Sequence, residues 1–175
     1  MRRYISAVLT IAGLLVSAPA VAQQATDADW SKFKLGAGLS FTLDVGKLDR
    51  ISEAVIVDGK VRVTHQNNGR ARIMLEGHHF FASNSAKTGV GPFIAVQPGS
   101  SEIIEAIGMG VMIGFRHNTK STQSFNIGVG IVLDPNTRVL GDGFRENQPP
   151  PGNETEVRYR ETLQTGILVL TSFSF

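Results

Sequence analysis

Thirteen consecutive residues, Lys32 to Asp44, alternate without a break between two kinds of side chain. Phe33, Leu35, Ala37, Leu39, Phe41 and Leu43 form one parity. Lys32, Lys34, Gly36, Gly38, Ser40, Thr42 and Asp44 form the other. A helix cannot sort residues this way, because its apolar stripe recurs every three to four positions; a strand places neighbours on opposite faces. A chain built from such runs is committed to β-structure with one apolar face.

The pattern recurs. In Ile103–Arg116, Ile107, Met109, Val111, Ile113 and Phe115 oppose Ala106, Gly108, Gly110, Met112, Gly114 and Arg116. In Ser124–Asp134, Phe125, Ile127, Val129, Ile131 and Leu133 oppose Ser124, Asn126, Gly128, Gly130, Val132 and Asp134. The final run, from about Thr155 to Phe175, carries Val157, Tyr159, Leu163, Ile167, Val169, Phe173 and Phe175 on one face. The middle is shorter-paced. Asp58-Gly59 separates Ile51–Val57 from Lys60–His65, the signal of a two-residue hairpin. Asn67-Asn68-Gly69 marks a second tight turn. Arg70–Phe81 then alternates again, and Val90–Gln97 forms one more strand. Eight strands result, with the longest loop at 135–154.

The partner face separates two architectures. A soluble β-sandwich turns Lys, Glu and Thr to water. Here the best strands carry Gly, Ser, Thr and Asn opposite their apolar face, which suits the inside of a small barrel. The apolar face runs for about ten residues, the length of a tilted membrane-crossing strand. In lipid every backbone N–H and C=O needs a partner, so a spanning sheet must close on itself. The expected fold is an all-β, closed, antiparallel, up-and-down transmembrane barrel of eight strands.

Residues 1–22 have the form of a secretory signal peptide. Arg2 and Arg3 precede an apolar run, Ile5–Val16, and Ala20-Val21-Ala22 offers small residues for cleavage. Residues 23–31 form a polar periplasmic leader and 32–175 the barrel. Of 17 Lys and Arg against 15 Asp and Glu, the signal takes two Arg and no acid, leaving 15 of each. That balance gives no reason to expect a nucleic-acid partner. Absence of Cys excludes disulfides, a thiol nucleophile and Cys-ligated zinc.

The alternating strand that ends in Phe175, with Phe173 on the same face and Gly166 on the opposite one, resembles the assembly signal of bacterial outer-membrane β-barrels. The resemblance is to that class and covers the whole mature chain. It implies an outer-membrane location, contact with outer-membrane lipid, and insertion by the barrel-assembly machinery. With strand one rising from the periplasm, Phe33, Phe81, Phe115, Phe125, Phe173 and Phe175 fall at one interface, with Trp30 just before them, as an aromatic belt. Loop 135–154 falls on the outside.

By parity, Asp44, Arg62, Arg72, Glu76, His78, Arg116 and Asp134 point into the lumen. Buried charges must pair, so a structural salt-bridge network is expected there. Glycines at 36, 38, 108, 110, 128 and 130 leave room for bulky Arg72, Met74 and Phe80 across the lumen. The histidines show no metal-ligand spacing, and no cofactor motif is present. Lipid A deacylases resemble this chain in size, but their His-x-Ser pattern is missing: His117 precedes Asn118-Thr119, and His79 precedes Phe80-Phe81. The leading expectation is a non-enzymatic barrel with a structural or surface-interaction role, its extracellular partner unidentified. A lipid A-modifying barrel and a soluble periplasmic lipocalin-like barrel are the alternatives.

Overall fold

The computed structural model describes residues 32–46, 48–99 and 103–175. The expected signal peptide (1–22), the expected leader (23–31) and with it Trp30 lie outside the described residues. Eight strands form among the described residues: β1 (Lys34–Asp44), β2 (Ile51–Val57), β3 (Lys60–Gln66), β4 (Gly69–His78), β5 (Thr88–Pro98), β6 (Ile104–Phe115), β7 (Ser124–Leu140) and β8 (Tyr159–Ser174). All pairings are antiparallel, and β1-β4-β5-β6-β7-β8 closes into a ring when β8 returns to β1.

The expectation of an eight-stranded ring is therefore corrected to six. β2 and β3 pair only with each other, as a separate hairpin. They are seven residues each, shorter than every ring strand, and β3 (KVRVTHQ) offers no continuous apolar face. Their turn forms where the sequence places it. Asp58 (φ 50°) and Gly59 (φ 69°) both adopt the left-handed region that a tight hairpin turn requires. β1 instead pairs with β4 from Lys34↔His78 to Leu43↔Gly69.

The even number of ring strands leaves the beginning of β1 and the end of β8 at one end, here called lower. The β2–β3 hairpin, the ends of β5 and β6 at Pro98 and Ile104, and the long 141–158 segment all lie at the upper end. The long loop starts later than expected because β7 continues past Pro135. It does so through a bulge between Asp134 and Thr137, which accommodates a residue without an amide hydrogen.

Parity holds on every ring strand. Leu35, Ile73, Ile94, Val111, Val129 and Val169 face outward and are exposed, while Met74, Phe93, Met112, Leu168 and Leu170 are buried inside. The inner apolar residues form one cluster with Phe80, Ala95, Ala106 and Val132. Small residues make this possible. A Cβ on Gly114 would fall 2.4 Å from the ring of Phe80, so only glycine admits that aromatic.

One seam is shorter than the rest. β4 and β5 share four paired positions, Leu75↔Val96 to His78↔Phe93, continued downward by His79 N–H to Pro92 O (3.2 Å) and Phe81 N–H to Val90 O (2.9 Å). On the other edge, Asp44 N–H donates to Asn68 O, so even-numbered residues of β4 serve β1 and odd-numbered ones face β5. Ala71 and Ile73 thus direct their backbone groups into the seam above Val96, where β5 supplies no paired residue. The next β5 position with the right orientation is Pro98, which has no N–H to give.

Candidate functional site

Three polar assemblies occupy the ring and its ends. The upper one centres on Asp134. Its Oδ2 accepts from Arg72 Nη2 (2.7 Å) and Arg50 Nη2 (2.9 Å), with Arg70 Nη1 at 3.7 Å. Arg50 also donates through Nε to Asp44 Oδ2 (2.8 Å). Arg72 adds Thr42 Oγ1 (3.0 Å) and Gln97 Oε1 (2.5 Å), and Gln97 bonds onward to Glu105. Burial alone would lower the pKa of Arg50, but its hydrogen bond to Asp44 and the charges of Asp134 and Asp44 outweigh that and raise it. Arg50 is therefore a permanent cation bridging two strands from the link above them.

The lower assembly is built on Glu76. Its Oε2 meets His78 Nδ1 at 2.8 Å, and its Oε1 accepts from Ser172 Oγ (2.9 Å) and Asn126 Nδ2 (3.4 Å). Asn126 Oδ1 takes the Ser124 hydroxyl (2.7 Å), which also meets Ser174 Oγ at 2.6 Å. Gly36 leaves the space for this carboxylate, since a Cβ there would collide with Glu76 Oε1. The His78 ring lies against Phe80, centroids 4.4 Å apart, and its Nε2 has no hydrogen-bond partner.

An apolar layer divides the two. On β4, Met74 stands between Arg72 and Glu76; on β8, Leu168 and Leu170 stand between Gln164 and Ser172. The expected single lumenal network is thus two clusters, with Asp44, Arg72 and Asp134 in one and Glu76 and His78 in the other. Arg116 joins neither. It is buried at the lower end, where Nε donates to Ala86 O (2.7 Å), Nη1 to Thr119 O (3.0 Å) and Nη2 to Asn84 O (2.5 Å), tying two connecting segments together. The expectation for Arg62 is overturned. It lies exposed on the β2–β3 hairpin and bonds Asn147, because β3 is not a ring strand and parity there does not point to a lumen.

Arg50 was not foreseen, since it sits in a link where no periodicity announces an inward side chain. Asn126, Ser172 and Ser174 lie on the polar parity, yet spacing alone does not reveal which carboxylate they serve. Gly166 faces inward between Leu43 and Val132, and Phe173 and Phe175 face outward. Phe125 and Phe173 stack across β7 and β8 with centroids 5.2 Å apart.

Chemically, Glu76 and His78 form an acceptor–imidazole pair, but the serine hydroxyls near it are bound to Glu76, Asn126 and each other. A nucleophile activated by His78 would need a hydroxyl on Nε2, and none is there. No cluster of three or more His, Asp or Glu fit for a metal occurs among the described residues. No family model, curated protein or solved structure matches this chain.

Proposed function

We propose that the six-stranded ring is a bacterial outer-membrane barrel with a plugged interior. Its role is non-enzymatic, structural or surface-interacting, and is carried by the elements at its upper end. The observation that supports this most is the outer wall. Every ring strand turns a large aliphatic side chain outward at half exposure or more: Leu39 64%, Ile73 68%, Ile94 50%, Val111 57%, Val129 52% and Ile167 51%. An apolar surface that encircles a protein is far beyond the patches a soluble monomer tolerates. From Phe125 to Leu133 the outward face of β7 covers ~26 Å of strand, or ~20 Å along the normal at a tilt of ~40°, near the height of an outer-membrane apolar band.

Phe33, Phe81, Phe115, Phe125, Phe173 and Phe175, all exposed near the lower end, fit the interfacial belt of such a barrel. Export through the 1–22 segment, and insertion through the barrel-assembly machinery guided by the β8 face with Gly166, Phe173 and Phe175, complete the reading. A ring of six strands is narrower than the eight-stranded barrels whose interiors side chains just fill, so no conducting pore is expected.

Membrane fractions run on SDS gels with and without boiling test this. A faster unboiled band in the outer-membrane fraction is the expected result. A single unshifted band in the soluble periplasmic fraction would refute it. Discrete conductance steps from the purified protein in planar bilayers would refute the plugged interior.

A further inference from the structure

Above the ring the β2–β3 hairpin and the 141–158 segment enclose a cleft of about 420 Å³. One wall brings Leu48, Ile51 and Val63; the other brings Val139, Leu140 and Phe144. Five charged residues, Asp49, Asp142, Arg145, Glu146 and Arg160, complete the lining. We propose that this cleft binds a short peptide segment, seating one apolar side chain on the aliphatic floor between the peptide's own charged groups. The proposal deepens the surface-interaction reading and rests on it only for the side of the membrane that the cleft faces.

Three observations support it. The volume falls in the range of clefts that hold small ligands. The walls are fixed in advance, which reduces the ordering cost of binding. Val61 exchanges backbone hydrogen bonds with the far segment, N–H to Gln148 O (2.9 Å) and O from Asn147 N–H (2.8 Å). Tyr159 Oη both accepts from Ala54 N–H (2.8 Å) and donates to Ala54 O (3.2 Å), under an Arg138 guanidinium 3.6 Å from its ring.

The charges then select the ligand. The lining carries both signs, three carboxylates (Asp49, Asp142 and Glu146) and two guanidiniums (Arg145 and Arg160). Arg160 holds Asp142 at 3.1 Å, yet that carboxylate stays 93% exposed and available. An anion would meet repulsion from three of these five groups and a cation from two, whereas a peptide with a carboxylate and an ammonium finds a partner for each. Arg50 links the site to the ring: it inserts into the upper charge cluster while its neighbours Asp49 and Ile51 line the cleft.

The test is an NMR titration of the full protein, folded in detergent micelles, with the dipeptide leucyl-phenylalanine. Saturable shifts of the Ile51, Val63 and Leu140 methyl groups in the millimolar range are expected. N-acetylation and C-terminal amidation of the dipeptide should weaken binding at least tenfold. So should Val63→Trp, which fills the cleft, and Glu146→Lys, which reverses an exposed charge without touching the core. Absence of saturation, equal binding by the capped dipeptide, or affinity unchanged in both variants would overturn the proposal. So would methyl shifts given by free glucose and not by the dipeptide. The boiled and unboiled gel on the same sample reads the barrel separately. A heat-modifiable protein that ignores the dipeptide sinks the peptide site alone, and binding by a protein found outside the membrane fraction sinks the membrane reading alone.

Discussion

Asp134→Asn removes the charge on which the upper cluster converges. In the native protein three guanidiniums, from Arg50, Arg70 and Arg72, lie within 4 Å of Asp134 Oδ2, and Asp44 pairs with Arg50. The substitution leaves Arg72, whose side chain is 1% exposed, with Thr42 and Gln97 as neutral acceptors. Stranding one member of a buried pair costs about 3–5 kcal/mol. Asparagine keeps a carbonyl that can still accept, so the lower figure, about 3 kcal/mol, is expected. That is roughly a 150-fold shift in the unfolding equilibrium at 1.4 kcal/mol per decade.

Urea titration in detergent micelles, followed by far-UV circular dichroism and by the mobility of unboiled samples, measures it; the two probes should coincide. Adding Arg72→Met deletes a cation that no longer has its anion. The double variant should therefore be about 1–3 kcal/mol more stable than the sum of the single effects predicts. A loss below about 1 kcal/mol for Asp134→Asn, or strict additivity, would refute a desolvated cluster and indicate that water reaches these charges.

Gly114→Val drives a side chain into the buried Phe80 ring and should destabilise by about 1–3 kcal/mol, whereas Gly59→Asn, where a Cβ meets nothing within 4 Å and only the positive φ is strained, should cost less, below about 1 kcal/mol, in the same urea assay, since asparagine tolerates that region best after glycine. Tyr159→Phe removes both hydrogen bonds to Ala54 and should cost about 1–2 kcal/mol, with faster proteolytic nicking of the β2–β3 hairpin as the more sensitive readout. In hydrogen exchange followed by NMR, the amides of Ala71 and Ile73 should exchange faster than those of Ile127 and Val129, which sit in fully paired seams; equal protection would mean that the upper half of the β4–β5 seam is closed.

Most of the ring was legible because its rule is local. Period two assigns Leu39 and Ser40, Met74 and Leu75, or Val169 and Leu170 to opposite faces without any knowledge of which strands pair. Asp58-Gly59 was legible for a similar reason, since the turn is encoded in two residues. Pairing partners are not local. Nothing in Ile51–Gln66 says that β1 bypasses it to join β4, apart from the shortness of its two strands and the polar face of β3. Arg62 went astray there, because parity has meaning only once a strand is known to belong to the ring. Arg50 escaped for the converse reason: it reaches the lumen from a link, where backbone direction is free to vary and sequence spacing carries no orientation.

The order of side chains along the axis constrains function more than any single residue does. Charges gather under the upper end, methionine, leucine and phenylalanine fill the middle, and Glu76 with its hydroxyl partners sits below. An ion moving along that axis would have to shed its water at Met74, Met112, Leu168 and Leu170, where the lone Ser40 hydroxyl beside Leu170 is too little to replace it. A substrate for Glu76 and His78 would have to displace the same layer from above or Phe80 from its contact with His78. What remains reachable without unpacking the core is the upper crown, where the excursion from β1 to β4 and the excursion from β7 to β8 are bonded to each other across a cleft. A closed wall that is filled inside and elaborated at one end places variation in the crown, where loops tolerate change and specificity is made.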